Sequence, residues 1–196
     1  MACGRVGGHR TTTGARLCPG CTPKAVKQDD HARGILYRVQ KELGRLGFQV
    51  KEPGLTVNLV PDSDLAKPER SSPGNREGQV NYTIHEDGTY KVQRILVQMG
   101  LPPFTSGRIM AHELGHVWLL QEGGRHLDSL KEEGFCELCA WLWMNGRSSH
   151  EITYRLRMME RNPDSIYGVG FREAKKQYKS GGIPRLLSWV GVGGSR

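Results

Sequence analysis

The chain has 196 residues with 28 Lys and Arg against 20 Asp and Glu, a formal charge of +8, and a length that suits one domain with a small appendage around a sizeable core. The charge is spread without a long block of one sign, so it reads as a basic surface in water and makes nucleic-acid binding a weak candidate. No apolar run is long enough for a transmembrane helix or, within residues 1–20, for a signal peptide.

Residues 1–30 are Gly-rich and carry Cys3, His9, Cys18 and Cys21. Cys18-Pro-Gly-Cys21 has the spacing of a zinc knuckle, in which backbone N–H groups support two thiolates. The five cysteines fall as Cys3 alone, Cys18 with Cys21, and Cys136 with Cys139. That odd count is no disulfide framework of a secreted domain and points to a reducing cytosol.

Asp30 to Gly47 reads as a helix with Asp30 as N-cap, because Ile35, Val39, Leu43 and Leu46 recur at helical spacing. Leu55 to Val60 alternates as a strand, and Pro61 to Gly78 reads as a loop. Val80 to His85 and Tyr90 to Met99 are two further strands. The turn Glu86-Asp87-Gly88-Thr89 joins them into a hairpin. Gly100-Leu101-Pro102-Pro103 ends the third strand. Thr105 or Ser106 should cap a long helix to about Gln121, closed by Gly123-Gly124. A second long helix covers Leu127 to Asn145. Ile152 to Glu160 is helical and stops at Asn162-Pro163. Tyr167 to Tyr178 and a short amphipathic Ile183 to Trp189 follow, before a Gly-rich tail.

The first long helix contains His112-Glu113-Leu114-Gly115-His116. Positions i and i+4 share a helix face, so two imidazoles can close on one Zn2+. Glu113 is turned about 100° away and suits a general base acting on a metal-bound water. Gly115 leaves a side-chain-free position where another segment or a substrate can approach. A zinc hydrolase needs a third protein ligand, and Glu132, Glu133 and Glu137 compete for it on the next helix. Glu133 and Glu137 share a face, which favours Glu133 as ligand and Glu137 as acceptor for the free N–H of a ligating His. Glu132 should face solvent. His126 is a weaker competitor. Cys136 and Cys139, at i and i+3, read as buried thiols rather than as half of a four-thiolate site with Cys18 and Cys21.

These residues resemble the gluzincin metallopeptidases, and more closely the plant organ-size-regulating LIM-peptidases, the DA-one family. The matching stretches are Gly100 to Pro103, Ala111 to Trp118, Glu132 to Cys136 and Tyr167 to Arg172. Cys3-Gly4-Arg5 and Leu17 to Cys21 are similar to the end of a LIM segment. The resemblance implies an α+β, zincin-like fold with a small antiparallel sheet and an H-E-x-x-H helix over residues 31–196. Residues 1–30 would be a LIM-like zinc-knuckle remnant, with Cys3, Cys18 and Cys21 as possible ligands of a structural zinc and His9 or His31 as possible completions. It implies a cytoplasmic zinc endopeptidase acting on protein substrates. In that family, ubiquitination switches on cleavage through ubiquitin-interacting motifs. None is visible here, so a ubiquitin link rests on the resemblance alone. In gluzincins the last strand before the zinc helix is a sheet edge on which substrate adds as a strand, which would be Gln93 to Gln98 here. Oxyanion stabilisation would come from His150, Tyr154 or Tyr167, with Tyr167 favoured because Gly168 and Gly170 leave room around it. The competing reading is a non-catalytic, zinc-stabilised interaction module.

Overall fold

The computed structural model describes residues 7–65, 77–87, 89–124 and 127–192. Cys3, Gly88 of the hairpin turn, His126, most of the loop before the hairpin and the last four residues lie outside the described residues.

The architecture is mixed α+β, with five α-helices and two small sheets among the described residues. Strands β1 (His9–Arg10) and β2 (Arg16–Leu17) form a minimal antiparallel pair. Helix α1 (Asp29–Arg45) starts one residue earlier than its spacing suggested, with Gln28 as N-cap. Asp29 accepts from Leu59 N at 2.9 Å and from Asn58 Nδ2 at 3.0 Å, which ties the helix start to the sheet.

Strands β3 (Val57–Val60), β4 (Gly78–Ile84) and β5 (Tyr90–Gln98) lie in the order β3-β5-β4. The β4–β5 hairpin forms as expected, with a register shift between Asn81 and Tyr82. The β3–β5 pair is parallel, so the sheet is mixed and not antiparallel. Strand β5 is therefore the central strand, which removes Gln93 to Gln98 as a sheet edge; β4 takes the edge instead. Alternating burial could not reveal this, because half-buried strands look alike whichever neighbour they take.

Helix α2 (Pro103–Gln121) begins with Pro103 at its first turn and Pro102 as N-cap, not at Thr105 or Ser106. Proline suits that position because its missing N–H would be unpaired there anyway. Thr105 and Ser106 are buried instead, and Thr105 Oγ1 donates to Glu151 Oε1 at 2.9 Å. Helix α3 (Ser129–Met144) is capped by Asp128, whose side chain accepts from Lys131 N at 3.0 Å. Helix α4 (His150–Glu160) is capped by Ser149. Helix α5 (Tyr167–Val190) breaks at Gly181 and Gly182, the latter at φ +65°, so the two C-terminal segments expected from the pattern are distinct pieces.

Helices α2 and α3 run antiparallel. A Cβ on Gly107 would meet Trp143 at 2.6 Å, and one on Gly115 would meet the Cys136 Cα at 2.9 Å. Trp118 stacks on Phe135 at 5.3 Å, and Phe48 meets both rings edge-on at 5.5 Å. These aromatics follow His116 and Glu133 by two residues each, so they set how the two functional helices face one another. Ala15, Leu17, Cys18, Cys21 and Val26 sit in the same core as the helices. None of the helices among the described residues is long and apolar enough to cross a membrane.

Candidate metal centre

The α2–α3 crossing brings His112, His116 and Glu133 together. Glu133 Oε2 lies 3.1 Å from His112 Nε2 and 3.6 Å from His116 Nε2. That oxygen is buried and makes no aligned hydrogen bond among the described residues. Buried polar atoms are nearly always partnered, so an orphan carboxylate oxygen between two imidazole nitrogens is what a site for a small cation presents. Two imidazoles and one carboxylate are also a donor set suited to zinc with a position left open.

The other ring nitrogens point away from this convergence, each towards its own carboxylate. Glu132 Oε1 lies 2.9 Å from His116 Nδ1, and Glu137 Oε1 lies 3.0 Å from His112 Nδ1. The contact to Glu132 is an aligned hydrogen bond. The contact to Glu137 is close but not aligned. Acceptors of this kind orient imidazoles whose other nitrogen binds a metal. Glu137 is thus within reach of His112, and Glu132, its side chain 41% exposed, meets both solvent and His116.

The electrostatics match this clustering. Burial opposes charge on His112, but Glu133 and Glu137 outweigh it and raise the imidazole from 6.5 to about 9. His116 is raised well above its ordinary value despite burial, with Cys136 and Glu132 among the causes. Burial pushes Glu133 up, yet the two imidazoles hold it well below the usual carboxylate range.

Glu113 is buried and lies on the side of α2 that meets β4. A Cβ on Gly78 would come within 2.7 Å of its Oε1, so the edge strand passes directly against it. Tyr167 opens α5, and its ring lies over His112 at 6.3 Å between centroids with planes 26° apart. Among the oxyanion candidates it alone has a ring contact with the histidine pair. His150 is exposed and Tyr154 half-buried, both on α4. The reason proposed for Tyr167 needs correcting, because Gly168 and Gly170 do not leave room. A Cβ on Gly168 would meet Asn162 O at 2.1 Å, and one on Gly170 would meet Leu130 O at 2.4 Å. The glycines let α5 approach α3 and the preceding loop. Gly134, next to Glu133, takes the other side of that approach: its Cβ would meet Gly170 O at 2.4 Å.

Cys136 was not read as part of the site, yet it belongs to its surroundings. Its Sγ and one ring nitrogen each of His112 and His116 form a group that could hold a metal, all within 4.8 Å of one another. Burial pushes its thiol up to about 12. Gly115 was the available signal, since a bare position between the two histidines is where α3 comes closest. Cys139 is buried nearby, in keeping with the reading of both residues as buried thiols. Cys18 and Cys21 are buried in a tight turn, with Cys21 N donating to Cys18 O at 2.9 Å. His9 and His31 are exposed, and no third His, Cys, Asp or Glu among the described residues joins the two thiols in a ligand group.

Fold and site together define a mixed α+β chain with a two-histidine group able to hold a metal. The DA1-like family model, described as Protein DA1, matches residues 63–156, a span that contains the whole cluster except Tyr167. Residues 63–156 of the chain belong to this DA1-like family. It is similar to Protein DA1 of Arabidopsis thaliana, 24% identical over 160 residues, covering 67% of this chain and 30% of that one. It is also similar to Protein DA1-related 7 of the same plant, 28% identical over 134 residues, covering 53% of this chain and 24% of that one. LIM domain-containing protein HDR3 of Oryza sativa subsp. japonica matches at 46% over 54 residues, covering 28% of this chain and 11% of that one. The chain therefore spans less than a third of the length of each of these relatives. No solved structure matches it.

Proposed function

We propose that the chain carries the catalytic part of a zinc-dependent endopeptidase acting on protein substrates. The observation that supports this most is the convergence of His112 Nε2, His116 Nε2 and Glu133 Oε2 around a buried carboxylate oxygen with no aligned partner. These three residues would hold the ion. When bound, zinc acidifies a coordinated water and polarises a substrate carbonyl.

The chain's own residues would do the rest. Glu132 and Glu137 fix the two rings through their Nδ1 atoms. Glu113 takes a proton and returns it to the leaving amine, as general base and then general acid. Strand β4 presents a free sheet edge beside Glu113 among the described residues, so an extended peptide can pair with its main chain and lie across the base. Tyr167, whose ring lies over His112, would be the donor to a developing oxyanion.

Glu113→Gln tests this reading. The variant should bind zinc with unchanged stoichiometry and lose cleavage of an unstructured substrate such as casein. Retained cleavage would remove Glu113 from the mechanism.

A second reading draws on Cys136. If its thiolate joined the two histidines, the site would be closed and structural, and the chain an interaction module. Glu133 Oε2, 3.1 and 3.6 Å from the two Nε2 atoms and without an aligned partner, favours the carboxylate. Metal analysis of Glu133→Ala and Cys136→Ala separates the two: loss of zinc in the first alone supports the peptidase. Cys18, Cys21, Cys136 and Cys139 form no disulfide among the described residues, which suits the cytoplasm. A structural zinc at Cys18 and Cys21, and any ubiquitin link, rest on the family resemblance.

A further inference from the structure

Beside the centre lies a cavity of about 330 Å³ between α2, α4 and the start of α5. Three guanidinium groups line it, Arg108, Arg155 and Arg161, together with the Tyr167 ring and the thioether of Met159. The only carboxylate in its wall is Glu137, which is already held against His112. The lining is thus net positive. Arg155 is half-buried, and burial together with the nearby Arg108 lowers its pKa, with Glu77 and Glu151 acting against them. Arg108 pairs with Glu77 through Nη2, while its buried Nε has no hydrogen-bond partner among the described residues. Arginines gathered around one cavity, one of them carrying a buried donor without a hydrogen-bond partner, form a setting suited to an oxyanion. The shared wall residues Glu137 and Tyr167 place that anion next to the proposed reaction centre.

We infer, building on the peptidase reading, that this cavity is a specificity pocket for the carboxylate of the substrate peptide. Its occupant is an Asp or Glu side chain near the scissile bond or the peptide's own C-terminal carboxylate. The aliphatic part of the residue lies along Met159, and the carboxylate meets Arg155 and Arg108.

Binding, not cleavage, tests this, so that it stands apart from the peptidase reading. The probe is a set of N-acetylated octapeptides of Ala and Gly carrying one Glu at each successive position, with Gln and Lys counterparts. Each peptide is made with an amidated and with a free C-terminus and carries a net-neutral fluorophore. Affinity for the zinc-loaded Glu113→Gln protein is read by anisotropy. At one position, or at the free C-terminus, the carboxylate should bind about tenfold or more tightly than its neutral counterpart, as a charge-assisted hydrogen bond gives. Arg155→Gln should abolish that preference, and Arg155→Glu should turn it towards the Lys peptide. Because Arg155 is partly buried, Arg161→Gln at the exposed rim is the companion variant, and a partial loss is expected there. Equal affinity for Glu, Gln and Lys peptides at every position and both termini, or no binding at all, overturns the pocket. Selective binding without cleavage by the unmodified protein leaves the pocket standing and removes the peptidase reading.

Discussion

Replacing Gly115 by alanine tests the geometry on which the centre depends. On helix propensity alone, Gly→Ala inside a helix stabilises by about 1 kcal/mol. At Gly115 the new methyl would sit 2.9 Å from the Cys136 Cα, 3.0 Å from its Sγ and 3.3 Å from its Cβ. The nearest atom is backbone, so α3 itself must move. Overpacking of this kind costs about 1–3 kcal/mol, so the net effect should be a loss of up to about 2 kcal/mol. Gly34 is the internal control: it is exposed on α1 and its Cβ would meet nothing within 4 Å. Gly34→Ala should stabilise by about 0.5–1 kcal/mol, a rise of a few degrees in Tm for a chain this long. Metal-free protein in urea gives both stabilities, and zinc titration against a competing chelator gives a second readout. Moving α3 carries Glu133 away from the histidines, so Gly115→Ala should also weaken zinc binding while Gly34→Ala leaves it alone. If Gly115→Ala stabilised the protein like its control and left zinc affinity unchanged, the close α2–α3 approach would be refuted.

The orienting carboxylates make a second prediction: Glu132→Gln and Glu137→Gln should each lower zinc affinity by about 10–100-fold without changing its stoichiometry. Unchanged affinity in both would mean that neither positions a ligand. The third concerns pH. Metal-free, His112 has its pKa raised from 6.5 to about 9, so its contribution to stability is complete below pH 6.5 and disappears as pH rises through about 9. Glu133 acts in the opposite sense: its pKa is lowered from 4.5, and its contribution is present above that value and lost in acid. The metal-free Tm should therefore fall between pH 6.5 and 9, and a flat profile there would contradict the charge pairing. Zinc must displace the imidazole protons, so its binding near pH 7 should release protons, measurable by calorimetry in two buffers of different ionisation enthalpy. A heat that does not depend on the buffer would argue against ligation by these histidines.

Helical period is a local property, and whatever depended on it was legible in the sequence. His112 and His116 share a face because four residues are close to one turn, and Glu133 and Glu137 share one for the same reason. The helices around them, and the break at Gly181 and Gly182, follow from apolar spacing and from glycine's freedom. Which side of α3 faces which histidine is not local. Glu132 looked solvent-facing when judged against Glu133 alone. In the fold the two histidines stand one turn apart along α2, so α3 offers Glu137 to one and Glu132 to the other across the antiparallel crossing.

The strands carry the same lesson, since each could be read from its alternation while the parallel β3–β5 pairing could not. That pairing places β5 inside the sheet and β4 at the edge beside Glu113. Pairing joins residues far apart in the chain, and a strand's pattern does not name its partner. The chemical parts of this protein were thus set by residue types at short spacings. Their arrangement into a site, with Cys136 beside the histidines and a cavity lined by arginines next to Tyr167, was decided by helix packing, because only the tertiary fold brings α2, α3, α4 and α5 to one place.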